Sequence, residues 1–156
     1  MQYQVLLDMQ LHSLCSALSS SVLSKFESKL EELISVELTR RGIELGSSSK
    51  SLFGKPDFVI KGERIALFIH GCFWHRHHTC QKNRIPKTNN YHWISQFNRT
   101  VIRDSEVRHQ LISDGWVCII IWECSIKSDL SKCVFEVANF IQGYKAGSTR
   151  SLTLVI

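Results

Sequence analysis

Two short runs constrain this chain more than anything else in it. "IALFI" (65–69) and "WVCIIIW" (116–122) are apolar at every position. A strand with one wet face alternates apolar and polar residues. A run without alternation has both faces covered, as in the centre of a parallel or mixed sheet. Between the runs, from Tyr91 to about Asp114, apolar residues recur at Trp93, Phe97, Val101, Val107, Leu111 and Ile112. That spacing predicts a long helix, ended by Gly115. Strand, long helix and second buried strand form a crossover unit, so the two runs are expected to be parallel neighbours whose C-terminal ends share one sheet edge.

The remaining elements fit around that unit. Val22, Phe26, Leu30, Leu33, Ile34 and Leu38 predict a helix over 22–41, stopped by Gly42. "DFVIKGERIALFIH" predicts a hairpin about Lys61-Gly62-Glu63, and Leu130, Val134, Val137 and Ile141 predict a last helix over 129–142. "GSSSKS" (46–51) is expected to be a loop, residues 71–90 to be irregular, and Asn90 to cap the long helix. The order helix, strand, strand, helix, strand, helix describes an α/β sandwich. A chain of 156 residues without internal repeats suits one domain. No apolar run approaches the ~20 residues of a bilayer span. The N-terminus lacks a basic start and is interrupted by Asp8, so a secretion signal is not expected and a cytoplasmic protein is the default.

Six cysteines in such a chain point to metal ligation before disulfides where they cluster. Cys72, His77 and Cys80 stand in the spacing C-x4-H-x2-C, and zinc takes four tetrahedral Cys and His ligands. If the apolar strands are parallel neighbours, Cys124, just past the second one, reaches the local trio. Cys118, in mid-strand, does not. Such a site would cross-link the 71–90 loop to the sheet. His75, His77 and His78 all lie at usable positions, and spacing does not choose among them. Cys118 fits a small buried apolar residue, and Cys15 and Cys133 have no partner at ligand spacing.

Charge and acid residues add a second theme. From Arg76 to Arg108 there are seven basic residues and two acidic ones, Asp104 and Glu106, which accounts for the whole net charge of +5. A basic excess beside aromatics suits a polyanion such as nucleic acid, and equally a solvated helix face. Asp57, in "GKPDFVI", follows Pro56 as turn residues do. The neighbouring strand would nevertheless bring His70 and His75 close to it. A carboxylate beside histidines on a basic surface suits Mg²⁺-assisted phosphodiester hydrolysis.

"GKPDFVI", "FIHGCFWHRHHTC", "IPKTNNYHW", Arg103-Asp104 and "GWVCIIIWEC" follow one another at set distances over about residues 27 to 127. Together they resemble the very short patch repair (Vsr-type) DNA mismatch endonucleases. The pairing of "GCFWH" with a downstream "WEC" is a specific one. The resemblance implies a restriction-endonuclease-like mixed α/β sheet flanked by helices, with one structural Zn²⁺ and a catalytic Mg²⁺. Asp57 matches the aspartate that binds Mg²⁺, and Ile69 the position whose main-chain carbonyl is a second ligand. His75 matches the histidine that activates water. His70, Glu31 and Asp104 match residues holding waters around the metal, with Glu27 and Glu32 close to the chosen Glu31. Cys72, His77, Cys80 and Cys124 match the zinc ligands. Phe73, Trp74 and Trp93 match aromatics that wedge into the DNA stack.

The expected organisation is therefore a divergent N-terminal segment (1–25), an endonuclease domain (26–145) and a C-terminal tail (146–156). The first of these carries one basic residue, Lys25, where the family has a basic segment. The expected activity is nicking 5′ to the thymine of a T·G mismatch in double-stranded DNA. The chain is expected to act as a monomer in the bacterial cytoplasm, with mismatch-repair proteins as further partners and no membrane. A restriction-type double-strand endonuclease and a catalytically impaired zinc-braced DNA-binding module are the rivals.

Overall fold

The computed structural model describes residues 20–47 and 52–156, with side chains of the first helix described from Lys29 onward. The N-terminal segment to residue 19, including Cys15, lies outside the described residues. So do residues 48–51 of the predicted loop and the side chain of Glu27.

Helix α1 (Ser20–Arg40) buries Leu30, Ile34 and Leu38, four residues apart on one stripe. It stops where the sequence predicts, because Gly42 adopts φ 76°. The Ile43 N–H then bonds the Leu38 carbonyl at 3.1 Å and the Gly42 N–H the Thr39 carbonyl at 2.9 Å. This left-handed cap uses carbonyls that the helix leaves unpaired. Strands β1 (Leu45–Ser47), β2 (Phe58–Ile60) and β3 (Ile65–His70) follow, then helix α2 (Asn90–Ser113) and strand β4 (Val117–Trp122). A short helix α3 (Glu123–Ser128), helix α4 (Leu130–Lys145) and strand β5 (Thr153–Val155) complete the chain.

The five strands lie in the order β1-β2-β3-β4-β5. The first two pairings are antiparallel and the last two parallel. The expected mixed α/β sheet with a helical crossover is thus present. The register of β3 on β4 runs from Ile65 opposite Val117 to His70 opposite Trp122. Both strands therefore leave the sheet side by side, and Gly71-Cys72 and Glu123-Cys124 emerge together.

Side-chain parity assigns the two faces, because successive residues of a strand point to opposite sides. Ile65, Leu67, Ile69, Val117, Ile119 and Ile121 pack with α1 and α4 in the main core. Ala66 and Cys118 pack with Val107 and Leu111 of α2 on the other side, with Phe68 against them. His70 has even parity, so it faces α2.

Three short elements differ from the sequence expectation. Gly46 and Ser47, predicted as loop, pair with β2. Residues 146–156, expected as a tail, supply the edge strand β5 on β4. Helix α3 occupies the gap after β4. The cap of α2 also differs. Asn90 is the first helical residue, and the preceding Asn89 takes φ 54° without a side-chain cap bond. The Asn89 carbonyl already accepts the Trp93 N–H at 3.2 Å, so the helical ladder starts one residue earlier than the Asn90 cap allows. At the start of α4, Asp129 is a conventional cap, accepting the Lys132 N–H at 2.9 Å.

Candidate functional site

Two groups of polar side chains gather where β3 and β4 end. In the first, the ligand atoms of Cys72, His77, Cys80 and Cys124 lie within 4.8 Å of one another. His77 Nδ1 is 3.7 Å from Cys72 Sγ and 3.3 Å from Cys124 Sγ. A tetrahedral zinc with ordinary Zn–S and Zn–N bonds needs S···N separations of about 3.6 Å. Three thiols and one imidazole at these distances fit such an ion.

Neighbouring contacts orient the imidazole. Its Nε2 is 2.8 Å from Thr79 Oγ1, and its ring stacks on Trp122 with centroids 4.2 Å apart. With Nε2–H donating to the threonine, Nδ1 is the nitrogen with a lone pair for metal. Spacing left three histidines open. The geometry brings His77 to the thiols, turns His75 away, and leaves His78 exposed. Glu123 ties the loop down as well. Its carboxylate accepts the Cys72 N–H at 3.2 Å, pairs with Lys82 at 3.0 Å, and also pairs with Lys127. Burial acts to raise the Glu123 carboxyl, but the two ammonium groups outweigh it and hold the pKa below its ordinary value.

The second group lies in a cleft of about 690 Å³ on the α2 side of the sheet. Asp57, Ile69, His70, His75, Asp104 and Glu31 all line it. Asp57 Oδ2 accepts the Ile69 N–H at 2.6 Å, which fixes the carboxylate against the end of β3. His75 Nδ1 is 2.5 Å from Asp104 Oδ2, and Arg103 pairs with the other oxygen at 3.1 Å. Burial acts to raise the Asp104 carboxyl. The hydrogen bond and charge of His75, with help from His70 and Arg103, hold it below its ordinary value. An ionised carboxylate only accepts, so His75 Nδ1–H is the donor, and in the neutral form of the ring Nε2 carries the lone pair.

His70 lies face to face with His75, centroids 3.8 Å apart and planes 9° off parallel. Burial, then the charge of His75, pushes the His70 pKa down to about 3. It is a neutral ring at ordinary pH. The ligand atoms of His70, His75 and Asp104 also lie within 4.8 Å of one another. Stacked rings, however, aim their lone pairs along parallel planes, and one ion cannot lie in both. Of the acids near residue 31, Glu31 lines the cleft, while Glu32 is exposed.

Aromatic rings stand beside both groups. Phe73, Trp74 and Trp93 are half-buried and touch edge to face or tilted, at 5.1 Å, 5.6 Å and 5.8 Å between centroids. Of the residues lining the cleft, Lys55 escaped the sequence reading, and Arg108 entered it only as one of the basic residues between 76 and 108. The signal for Lys55 was its place in "GKPDF". Phe97 also escaped, because its helical spacing marks it only as core.

An α/β domain with a mixed central sheet, helices on both faces and a Cys/His cluster at the strand ends is of the restriction-endonuclease-like class. Comparison with known proteins narrows this. The family model for DNA mismatch endonuclease Vsr matches residues 10–82. DNA mismatch endonuclease Vsr of Escherichia coli is 35% identical over 101 residues, covering 65% of this chain and 64% of the relative. Type II nicking enzyme V.NmeAIP of Neisseria meningitidis is 35% identical over 102 residues, 65% of this chain and 72% of the relative. Type II nicking enzyme V.HpaIIP of Haemophilus parainfluenzae is 33% identical over 113 residues, 72% and 80%. The chain belongs to the Vsr DNA mismatch endonuclease family. It spans just under two thirds of the length of the Escherichia coli relative. Among the described residues no helix is long and apolar enough to cross a membrane.

Proposed function

We propose that this chain is a DNA endonuclease that nicks one strand on the 5′ side of a mispaired thymine in a T·G mismatch. The observation that carries the reading is the gathering of Asp57, Ile69, His70, His75 and Asp104 in one cleft edged by Lys55, Arg103 and Arg108. Three cations beside a carboxylate and an imidazole suit a phosphodiester and its hydrolysis. Two of the relatives are nicking enzymes by name, which supports single-strand rather than double-strand cutting.

Asp57 and the Ile69 carbonyl are the assigned ligands of Mg²⁺, which when bound would offset charge on the phosphate and its attacking oxygen. The chain's own groups supply the proton chemistry. Asp104 holds the His75 Nδ1–H, so Nε2 is the atom that takes a proton from the attacking water. His70 supports the His75 ring from its face without adding charge beside the Mg²⁺ ligands. Glu31 lies in the same cleft, where its carboxylate would accept from water bound beside Mg²⁺. Arg103 serves twice, fixing Asp104 and facing the DNA backbone.

Zn²⁺ is assigned to Cys72, His77, Cys80 and Cys124. When bound there it would fasten the loop that carries both His75 and the aromatic pair Phe73-Trp74. With Trp93 these rings form the wedge that enters the stack at the mismatch, where unstacking costs less than at a matched pair, by up to a few kcal/mol. The same reading has the protein acting as a monomer in the bacterial cytoplasm, with mismatch-repair proteins as further partners.

The test is Asp57→Ala on a duplex with one T·G mismatch. The variant is expected to bind the duplex as the parent does and to make no nick with Mg²⁺. Nicking by the purified variant, or equal nicking of matched and mismatched duplexes by the parent, would count against the proposal.

A further inference from the structure

Residues 75, 76 and 77 point three ways. His75 meets Asp104 on α2, and His77 turns Nδ1 to the thiols of Cys72 and Cys124. Arg76 lays its guanidinium over the Phe97 ring, 4.2 Å from the centroid. Between the two histidines Arg76 adopts φ 57°. That left-handed conformation is costly for a residue with a Cβ, and in ordered loops it persists where the surroundings impose it.

The side chain is constrained too. Arg76 Nη2 reaches the Asn83 carbonyl at 3.4 Å, while Nη1 and Asn83 Oδ1 are buried without hydrogen-bond partners. Hydrogen bonding therefore does not account for the arginine's position. Stacking on Phe97 does, since a planar guanidinium fits a ring face as an ammonium does not.

Phe97 links the arginine to the aromatic set. It is 3% exposed, and its ring lies 5.1 Å from Phe73 and 5.8 Å from Trp93. A wedge driven between base pairs works against stacking, so the rings behind it must not yield.

We propose that Arg76 is a positioning residue for the aromatic wedge. Its guanidinium pins Phe97, Phe97 sets the rings of Phe73 and Trp93, and the left-handed backbone keeps His75 and His77 aimed at separate sites. The proposal rests on the wedge reading given above, and its test separates the two.

Trp74 and Trp93 lie 5.8 Å apart at 48°, close enough to give a coupled-tryptophan signal in circular dichroism of the free protein. Arg76→Asn keeps a residue that tolerates the left-handed backbone and removes the guanidinium. It is expected to retain its metal content, to lose roughly half or more of the coupled signal, and to bind a T·G duplex roughly 3- to 30-fold more weakly. Arg76→Lys, which restores charge without the planar face, is expected to fall between. An unchanged coupled signal in folded Arg76→Asn overturns the proposal. If that variant does not fold, Phe97→Leu takes its place, since it keeps apolar bulk and removes the ring; an unchanged signal there overturns the proposal equally. A lost signal with unaltered preference for T·G over matched duplex supports the brace and overturns the wedge reading.

Discussion

Gly54→Ala probes how the Asp57 carboxylate reaches the cleft. Gly54 and Lys55 adopt φ 78° and 49°, and the Lys55 N–H closes the turn on the Leu52 carbonyl at 3.1 Å. The chain then passes through buried Pro56 to Asp57. An alanine Cβ at position 54 would stand 2.1 Å from Val107 Cγ1 and 2.9 Å from Cγ2, where ordinary carbon contacts are about 3.5–4.0 Å. The left-handed backbone costs alanine about 1–2 kcal/mol, and the overlap about 1–3 kcal/mol. The expected loss is thus about 2–5 kcal/mol in urea unfolding, with an unchanged m-value. Val107→Ala alone removes two buried methyl groups, worth about 2 kcal/mol with the void they leave. In the double variant the two Cγ overlaps are gone, while the 3.1 Å approach of the new Cβ to the Cβ of residue 107 and the backbone cost stay, so the pair is expected to cost about 1–2 kcal/mol less than the sum of the single changes. Nicking by folded Gly54→Ala is expected to fall as well, because relief of the overlap shifts the segment that carries Asp57. Single costs that add to within about 0.5 kcal/mol in the double variant would refute the steric reasoning.

Two further perturbations act on the thiols. Cys124→Ala is expected to lose the bound metal and to lower stability by several kcal/mol, since it frees the loop from the sheet; unchanged metal content and melting would overturn the ligand set. Cys118 and Cys133 are 0% and 2% exposed, and burial raises both thiols from 9.0 to about 11. The folded chain then holds protons that the unfolded chain releases between those values, so stability present below pH 9 falls as pH rises toward 11. The loss is about 2–3 kcal/mol for each thiol. Melting of the parent and of Cys133→Ala at pH 8 and pH 10 checks this, because the variant should show a visibly smaller drop.

What the sequence made legible was whatever had length or chemistry to repeat. The β3-α2-β4 unit was legible because two runs without polar residues need cover on both faces, and the helix between them supplies it. The parallel pairing then followed, and with it the meeting of Cys124 with the 72–80 segment. Strands β1 and β5, three residues each, carry no period to detect. Their place is set by pairing, β1 on β2 and β5 on β4. The choice of histidine was hidden for a different reason. His75 and His77 differ in role through the backbone of the residue between them, and a left-handed arginine leaves no mark in composition or spacing. The same applies to Phe97. Its position on α2 predicts burial, which is correct, but burial beneath Phe73 and Trp93 is a fact of how the 71–90 loop folds onto the helix. That loop has little core of its own, so its course depends on the Cys/His cluster, on Glu123 and on the aromatic contacts acting together. Functional residues on such a segment can be nominated one at a time from sequence, but their mutual aim belongs to the fold.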